Sequence, residues 1–273
     1  MTHKQGDGRW ALVTGTSAGI GKEFARQLAA LGYSLVLVAR REERLASLAQ
    51  ALSTGQGTTC HCIPLDLSRP DAGSELADRL KQLDCDIEFL VNNAGYGVPG
   101  TFEQADWETH RASLDVMLNS VCELTWRLLP AMQKNGEGYI VNVSSVAGLV
   151  PGSARHTLYG ATKAFLIKFS ASLAMENLDR GVNVSALCPG FTYTEFHDVL
   201  DIREQVSQMP SWMWMEAADV VRYGIESVMR DPPRVIAVPG RVNRLIATVM
   251  KLLPNRVSQA MTQRQSRRWR SQD

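Results

Sequence analysis

The run Trp10-Ala11-Leu12-Val13-Thr14-Gly15-Thr16-Ser17-Ala18-Gly19-Ile20-Gly21 decides how the chain is read. Five residues of strand character end at Thr14, and a turn holding three glycines follows. Residues 20–31 then place Phe24, Leu28 and Leu31 at the spacing of one helix face. Glycine in such a turn permits a tight bend and close approach of backbone to a phosphate. The helix start beyond it offers unpaired N–H groups and a positive dipole end. A diphosphate suits this strand–turn–helix unit, with Gly15, Thr16, Ser17, Gly19, Ile20 and Gly21 as candidate contacts.

Outward from that turn, strand-length apolar runs alternate with helix-length segments. Further strands are expected at about 33–38, 59–65, 87–91, 139–143, 182–187 and 235–238, and helices at about 41–53, 71–83, 105–134, 157–179 and 217–230. The nearly unbroken apolar character of 33–38 suits a strand covered on both faces. Alternation of this kind implies an α/β fold, a doubly wound parallel sheet of about seven strands with helices on both faces. No linker or repeat divides residues 1–240, which are read as one domain, followed by a basic extension over 241–273.

The second strand ends in Val38-Ala39-Arg40-Arg41. An NAD site commonly carries a carboxylate there for the ribose 2′-hydroxyl. This chain has two guanidiniums instead, and Arg40 suits a 2′-phosphate, with Arg41 beside it. NADP(H) is therefore expected ahead of NAD(H). Asp66 and Leu67, after the third strand, are candidates for the adenine edge. The small-residue turn Asn92-Asn93-Ala94-Gly95, after the fourth, places Asn93, Ala94 and Gly95 at the cofactor's border.

Tyr159 and Lys163 stand four apart on an expected helix, hence on one face. A phenol titrates at about 10, and a neighbouring ammonium together with a bound nicotinamide cation would favour its phenolate. Ser145, fourteen residues upstream and just past the fifth strand, can hold the oxygen that Tyr159 protonates. These groups fall at carboxyl ends of parallel strands, where such sheets bind ligands.

Together, 14–21, 92–95, Ser145, Tyr159, Lys163 and Pro189-Gly190 resemble the short-chain dehydrogenase/reductase family in its shorter single-domain form, over about residues 8–240. The resemblance implies a Rossmann-like fold and hydride transfer between a nicotinamide cofactor and a carbonyl or alcohol. By position, it makes Tyr159 the acid/base and has Ser145 orient the substrate oxygen. Lys163 binds the nicotinamide ribose and lowers the Tyr159 pKa. Asn119 resembles the helix asparagine that holds a water in a proton relay with Lys163. Pro189, Gly190, Thr192 and Thr194 fall in the stretch that covers the cofactor. NADP-preferring members often carry a basic residue just before the second glycine. Ala18 stands there, which leaves the 2′-phosphate to Arg40 and Arg41. The family commonly forms homodimers or homotetramers through its two long helices, here near 105–134 and 157–179.

Composition sets the outer bounds. Net charge is +1 and 45% of residues are hydrophobic, so the chain as a whole signals neither nucleic-acid nor membrane binding. Five cysteines without a CxxC pair read as core thiols rather than a metal or disulfide framework. The opening residues lack a signal-peptide run and no long apolar stretch occurs, so a cytoplasmic protein is expected. The stretch 209–215, rich in Met and Trp, suits either a greasy substrate pocket or ordinary core packing. A pocket of that kind implies a hydrophobic carbonyl or alcohol: a 3-oxoacyl thioester, a steroid-like ketone or another lipophilic ketone. Residues 241–272 hold eight Lys/Arg and no Asp/Glu, whereas 1–240 hold 21 basic and 27 acidic side chains. The tail therefore suits peripheral membrane contact, a partner, or a solvated end. Two other functions share the fold: a non-catalytic NADP-binding sensor or scaffold, and a lipid-surface interaction protein acting through the tail. The presence of Ser145, Tyr159 and Lys163 favours the enzyme.

Overall fold

A computed structural model of the chain describes residues 6, 8–155, 157–195, 210–254 and 256–260. Seven parallel strands form one sheet in the order β3-β2-β1-β4-β5-β6-β9. They are β1 (Trp10–Thr14), β2 (Ser34–Ala39), β3 (Cys60–Pro64), β4 (Ile87–Asn92), β5 (Gly138–Val143), β6 (Val182–Leu187) and β9 (Ile236–Ala237). The order reverses between β1 and β4, which opens a crevice at their carboxyl ends, the place where doubly wound sheets bind ligands.

The apolar runs are continuous because both faces of the sheet are covered. Side chains alternate across a strand, so Ala11 and Val13 face one core layer and Leu12 the other. Leu35 and Leu37 likewise oppose Val36 and Val38. The first layer is completed by α1 (Gly19–Ala30), α2 (Glu42–Gln56) and α7 (Ala217–Met229), through Phe24, Leu45 and Val220 among others. On the second face lie α3 (Ala72–Gln82), α5 (Ser120–Asn135) and α6 (Thr157–Glu176). Cys60 and Cys62 pack against the first layer, as two residues of one strand face should. His61, between them, stacks on Trp10 with ring centroids 4.9 Å apart.

Three local features depart from the expected pattern. The helix expected over 105–134 is α4 (Trp107–Leu114) and α5 joined by a π-helical turn, Asp115–Asn119. A short parallel pair, β7 (Phe191–Tyr193) with β8 (Trp214–Glu216), forms where no strand is expected. Three-residue strands carry too few side chains to show an alternation. A further helix, α8 (Arg241–Leu252), follows β9. Residues 196–209 of the cover, with His197 and Met209, lie outside the described residues, as do His156 and 261–273 of the tail.

Candidate active site

The glycine turn between β1 and α1 is shaped by the loop after β4. Thr14 Oγ1 accepts from the backbone N–H groups of Asn93 and Ala94, each at 3.0 Å. The Asn93 amide donates to the carbonyls of Thr14 (2.8 Å) and Gly15 (3.3 Å). A Cβ at Gly15 would stand 2.7 Å from that amide, and one at Gly21 would overlap both the amide and the Gly15 carbonyl. Two of the three glycines are therefore required by contact between the β1 and β4 loops. Asn93 serves as a brace for the turn.

The turn fits a diphosphate on its own chemistry. The helix α1 has Ala18 at its N-cap, with no capping side chain and no acid in its first turn, so its first N–H groups have no carboxylate competing for them. Thr16 is fully buried, and among the described residues its hydroxyl oxygen has no partner. Thr194 closes over this region, with its Cβ 3.1 Å from where a Cβ of Gly19 would stand. Thr192 is buried and donates to Gly190 O at 3.1 Å.

At the end of β2, Arg40 is exposed and makes no ion pair among the described residues. Arg41 donates to Ser17 Oγ at 2.8 Å. Beyond β3, burial pushes the Asp66 carboxyl up, but the Ser68 backbone and hydroxyl bonds (3.0 and 2.8 Å) and the nearby Arg40 and Arg69 bring it below its usual range. Leu67 is buried in the second core layer, so its side chain serves packing.

A second group of residues gathers past β5. Ser145 stands two residues beyond that strand, and its Oγ accepts from Ala147 N at 3.1 Å, lies 3.4 Å from Pro189 O and is hydrogen-bonded to Tyr159. Lys163 is 5% exposed; its Nζ donates to Val143 O at 2.8 Å and stands 5.5 Å from the Tyr159 ring centre. Ser144 fixes the α6 backbone by donating to Lys163 O at 2.7 Å. Burial pushes the Tyr159 phenol up to about 12, against the Ser145 hydrogen bond, and brings Lys163 down to about 8. In the chain by itself desolvation outweighs the Ser145 hydrogen bond, and Tyr159 holds its proton at neutral pH; the expected lowering counts on a bound nicotinamide cation as well as on Lys163.

The lysine shift has a thermodynamic consequence. A folded pKa near 8 lies below the ordinary 10.5, so between those values the unfolded chain holds the extra proton. This group therefore destabilises the fold below pH 8 and releases that penalty as pH rises toward 10.5, about 3 kcal/mol at most. Urea unfolding at pH 7 and pH 10 should show the stability gap between Lys163→Met and the parent moving by about 1 kcal/mol or more against the variant as pH rises. A gap that stays constant would place the Lys163 charge in water.

Asn119 does not join this cluster, which corrects the relay expected from the resemblance. Its side chain is exposed and Nδ2 donates to Asp115 Oδ1 at 2.6 Å. Residues two apart on a helix point to nearly opposite sides. Met117, fully buried, takes the inner side, against Gly95 and 3.9 Å from Thr162 Oγ1.

Several contacts at the site had no local signal. Glu195 pairs with Arg44 at 2.7 Å and Arg41 at 3.9 Å, tying the covering segment to the start of α2. Asn92 donates to Asn142 Oδ1 (2.8 Å) and Thr125 Oγ1 (3.2 Å), tying β4 to β5 and α5. Partners 33 to 154 residues apart leave no spacing to read. In the cover, Trp214 stacks on Tyr193 at 4.8 Å and contacts Phe191 at 5.5 Å, Met215 packs on the core, and Trp212 is 62% exposed.

A doubly wound parallel sheet with a braced glycine turn, and a Ser–Tyr–Lys group at its carboxyl edge, defines a nucleotide-cofactor oxidoreductase of the Rossmann-like class. The model of short chain dehydrogenases matches residues 9–205, and the chain belongs to that family. It is 33% identical over 223 residues to the very-long-chain 3-oxoacyl-CoA reductase-A of Danio rerio, covering 80% of this chain and 68% of the relative. With sulfoacetaldehyde reductase 2 of Chromohalobacter salexigens it shares 37% over 190 residues, 68% of this chain and 73% of that one. Among solved structures, a short-chain dehydrogenase from Sphingobium yanoikuyae in complex with NADPH superposes with a TM-score of 0.77 at 29% identity, over 90% of this chain and 97% of that chain.

Proposed function

We propose that the protein is an NADP(H)-dependent reductase of a hydrophobic ketone, such as a 3-oxoacyl thioester or a steroid-like carbonyl, and in reverse an alcohol dehydrogenase. The observation that carries this reading is the meeting of Ser145, Tyr159 and Lys163 at the carboxyl end of β5. When bound, the nicotinamide cofactor supplies or accepts the hydride. Ser145 Oγ holds the carbonyl oxygen, and Tyr159, protonated at neutral pH, gives that oxygen its proton as the alcohol forms. Lys163 places a buried ammonium beside the phenolate so produced, where opposite charge counts for most. The glycine turn, with Thr16, Ser17, Ile20, Ala94, Pro189, Thr192 and Thr194 around it, holds the cofactor, and Asp66 holds its adenosine end.

Preference for the 2′-phosphate rests on Arg40, a guanidinium without an ion pair among the described residues, and Arg41 beside it. The NADPH complex of the Sphingobium relative supports the same choice. Charge-assisted bonds of this kind are worth about 1.5–3 kcal/mol. Arg40→Ala should therefore weaken NADPH by roughly 10- to 100-fold and NADH by less than about 3-fold in fluorescence titrations. Equal losses on both cofactors would remove the 2′-phosphate assignment.

A lipophilic substrate is favoured by the aromatic cover of Phe191, Tyr193, Trp212 and Trp214 and by the acyl-CoA specificity in the Danio rerio relative's name. A small polar aldehyde, as the Chromohalobacter relative's name indicates for that protein, is the competing class. Following NADPH oxidation at 340 nm with 3-oxoacyl thioesters, bulky ketones and short polar aldehydes separates them. Turnover confined to the aldehydes would overturn the lipophilic reading. Self-association through α4, α5 and α6 is part of the proposal, since Trp107, Trp126, Phe165 and Met175 are exposed on those helices. No helix among the described residues is long and apolar enough to cross a membrane.

A further inference from the structure

The helix α8 carries an apolar stripe that the described fold leaves uncovered. Its inner side is rooted at the site's edge: Asn243 is buried, donates to Pro239 O at 3.0 Å and fills the space beside Gly190. Arg244 lies over the Tyr223 ring, 5.7 Å from its centre. The outer side presents Leu245 (64% exposed), Val249 (43%) and Leu252 (78%), at i, i+4 and i+7 and hence in one stripe. Val257, beyond Pro254, is exposed as well.

The charge that the chain carries from Arg241 to Arg256 is of one sign. Arg241, Lys251 and Arg256 are exposed and make no ion pair among the described residues, and 241–272 contain eight basic side chains and no acid. A helix with an uncovered apolar stripe and a wholly basic flank has the two features that hold a segment in the headgroup region of an anionic bilayer. A two-fold contact between copies of α8 would bring the same cations face to face, so the charge disfavours a second copy as the occupant. We propose that the outer face of α8 is a docking surface for an anionic lipid membrane, laid parallel to the bilayer rather than across it. The inner side of the same helix is rooted through Asn243 at Gly190 and Met215, beside the candidate site.

The test is sedimentation of the full-length protein with vesicles of phosphatidylcholine alone and of phosphatidylcholine with phosphatidylserine. Partitioning should rise by about tenfold or more with the anionic lipid and fall when salt is raised to about 0.5 M. The combined Leu245→Glu, Val249→Glu and Leu252→Glu variant should lose about tenfold or more, with unchanged melting temperature and cofactor affinity. Leu252→Ser alone, at the most exposed position, gives a smaller loss in the same direction and serves if the triple variant fails to fold. Equal sedimentation with neutral and anionic vesicles would overturn the proposal, as would variants that partition like the parent. So would a parent that stays in the supernatant while forming a dimer that the substitutions dissolve. None of these readouts depends on the substrate or on turnover.

Discussion

Replacing Tyr159 by Phe is expected to lower turnover by about 10³- to 10⁴-fold, the range lost when a positioned general acid is removed. Cofactor affinity should change by less than about 3-fold, because the substitution deletes one oxygen and leaves the ring in place. The neighbourhood tolerates the loss. Ser145 Oγ keeps its bond from Ala147 N and its place beside Pro189 O, and Lys163 Nζ keeps Val143 O. The direction of the Tyr159 shift sharpens the expectation. With its proton held up to about 12 by burial, the phenol is ready as an acid for reduction at neutral pH, whereas oxidation needs it deprotonated. NADPH titration and single-turnover kinetics on the variant check both halves. Parallel loss of binding and rate would show that Tyr159 builds the cofactor site instead of carrying the proton.

The second large effect is expected at Gly21. A Cβ there would overlap the Asn93 amide and the Gly15 carbonyl, and neither is the free end of a flexible chain: the amide is bonded to Thr14 O and Gly15 O. Gly21→Ala must therefore open the turn, at about 1–3 kcal/mol of stability for the overpacking and about 100-fold or more in cofactor affinity. Gly55, in α2, has nothing within 4 Å of a Cβ. Gly55→Ala should raise stability by about 0.5–1 kcal/mol and leave binding unchanged, since a helix interior favours Ala. Thermal melts with and without NADPH distinguish these outcomes. A Gly21→Ala protein that melts and binds like the parent would mean that the Asn93 brace yields at little cost.

Several features of the site could be read without coordinates because they depend on neighbours in sequence. The turn after β1 places its glycines within seven residues, and Tyr159 and Lys163 share a face through the helical repeat alone. The continuous apolar runs of β1 and β2 state that both faces are covered. The Asn119 expectation failed for a related reason. It rested on residue type within a helix, but which side of that helix faces Lys163 depends on packing at the π turn, and the inner side belongs to Met117. The short β7–β8 pair was invisible because its parallel partners are separated by more than twenty residues and each shows only three side chains.

By itself, then, the sequence determined the α/β alternation, the strand–turn–helix unit and the presence of a Ser–Tyr–Lys set, all consequences of local periodicity and of conformational demands on single residues. Tertiary structure alone decided which of those groups meet and in what protonation state. Asn93 braces a turn 78 residues away, Glu195 reaches Arg44 across 151 residues, and the Tyr159 proton is held by burial that no residue spacing records. Contact between distant segments and exclusion of water from a side chain are properties of the packed chain, and they set the chemistry that the motif only makes available.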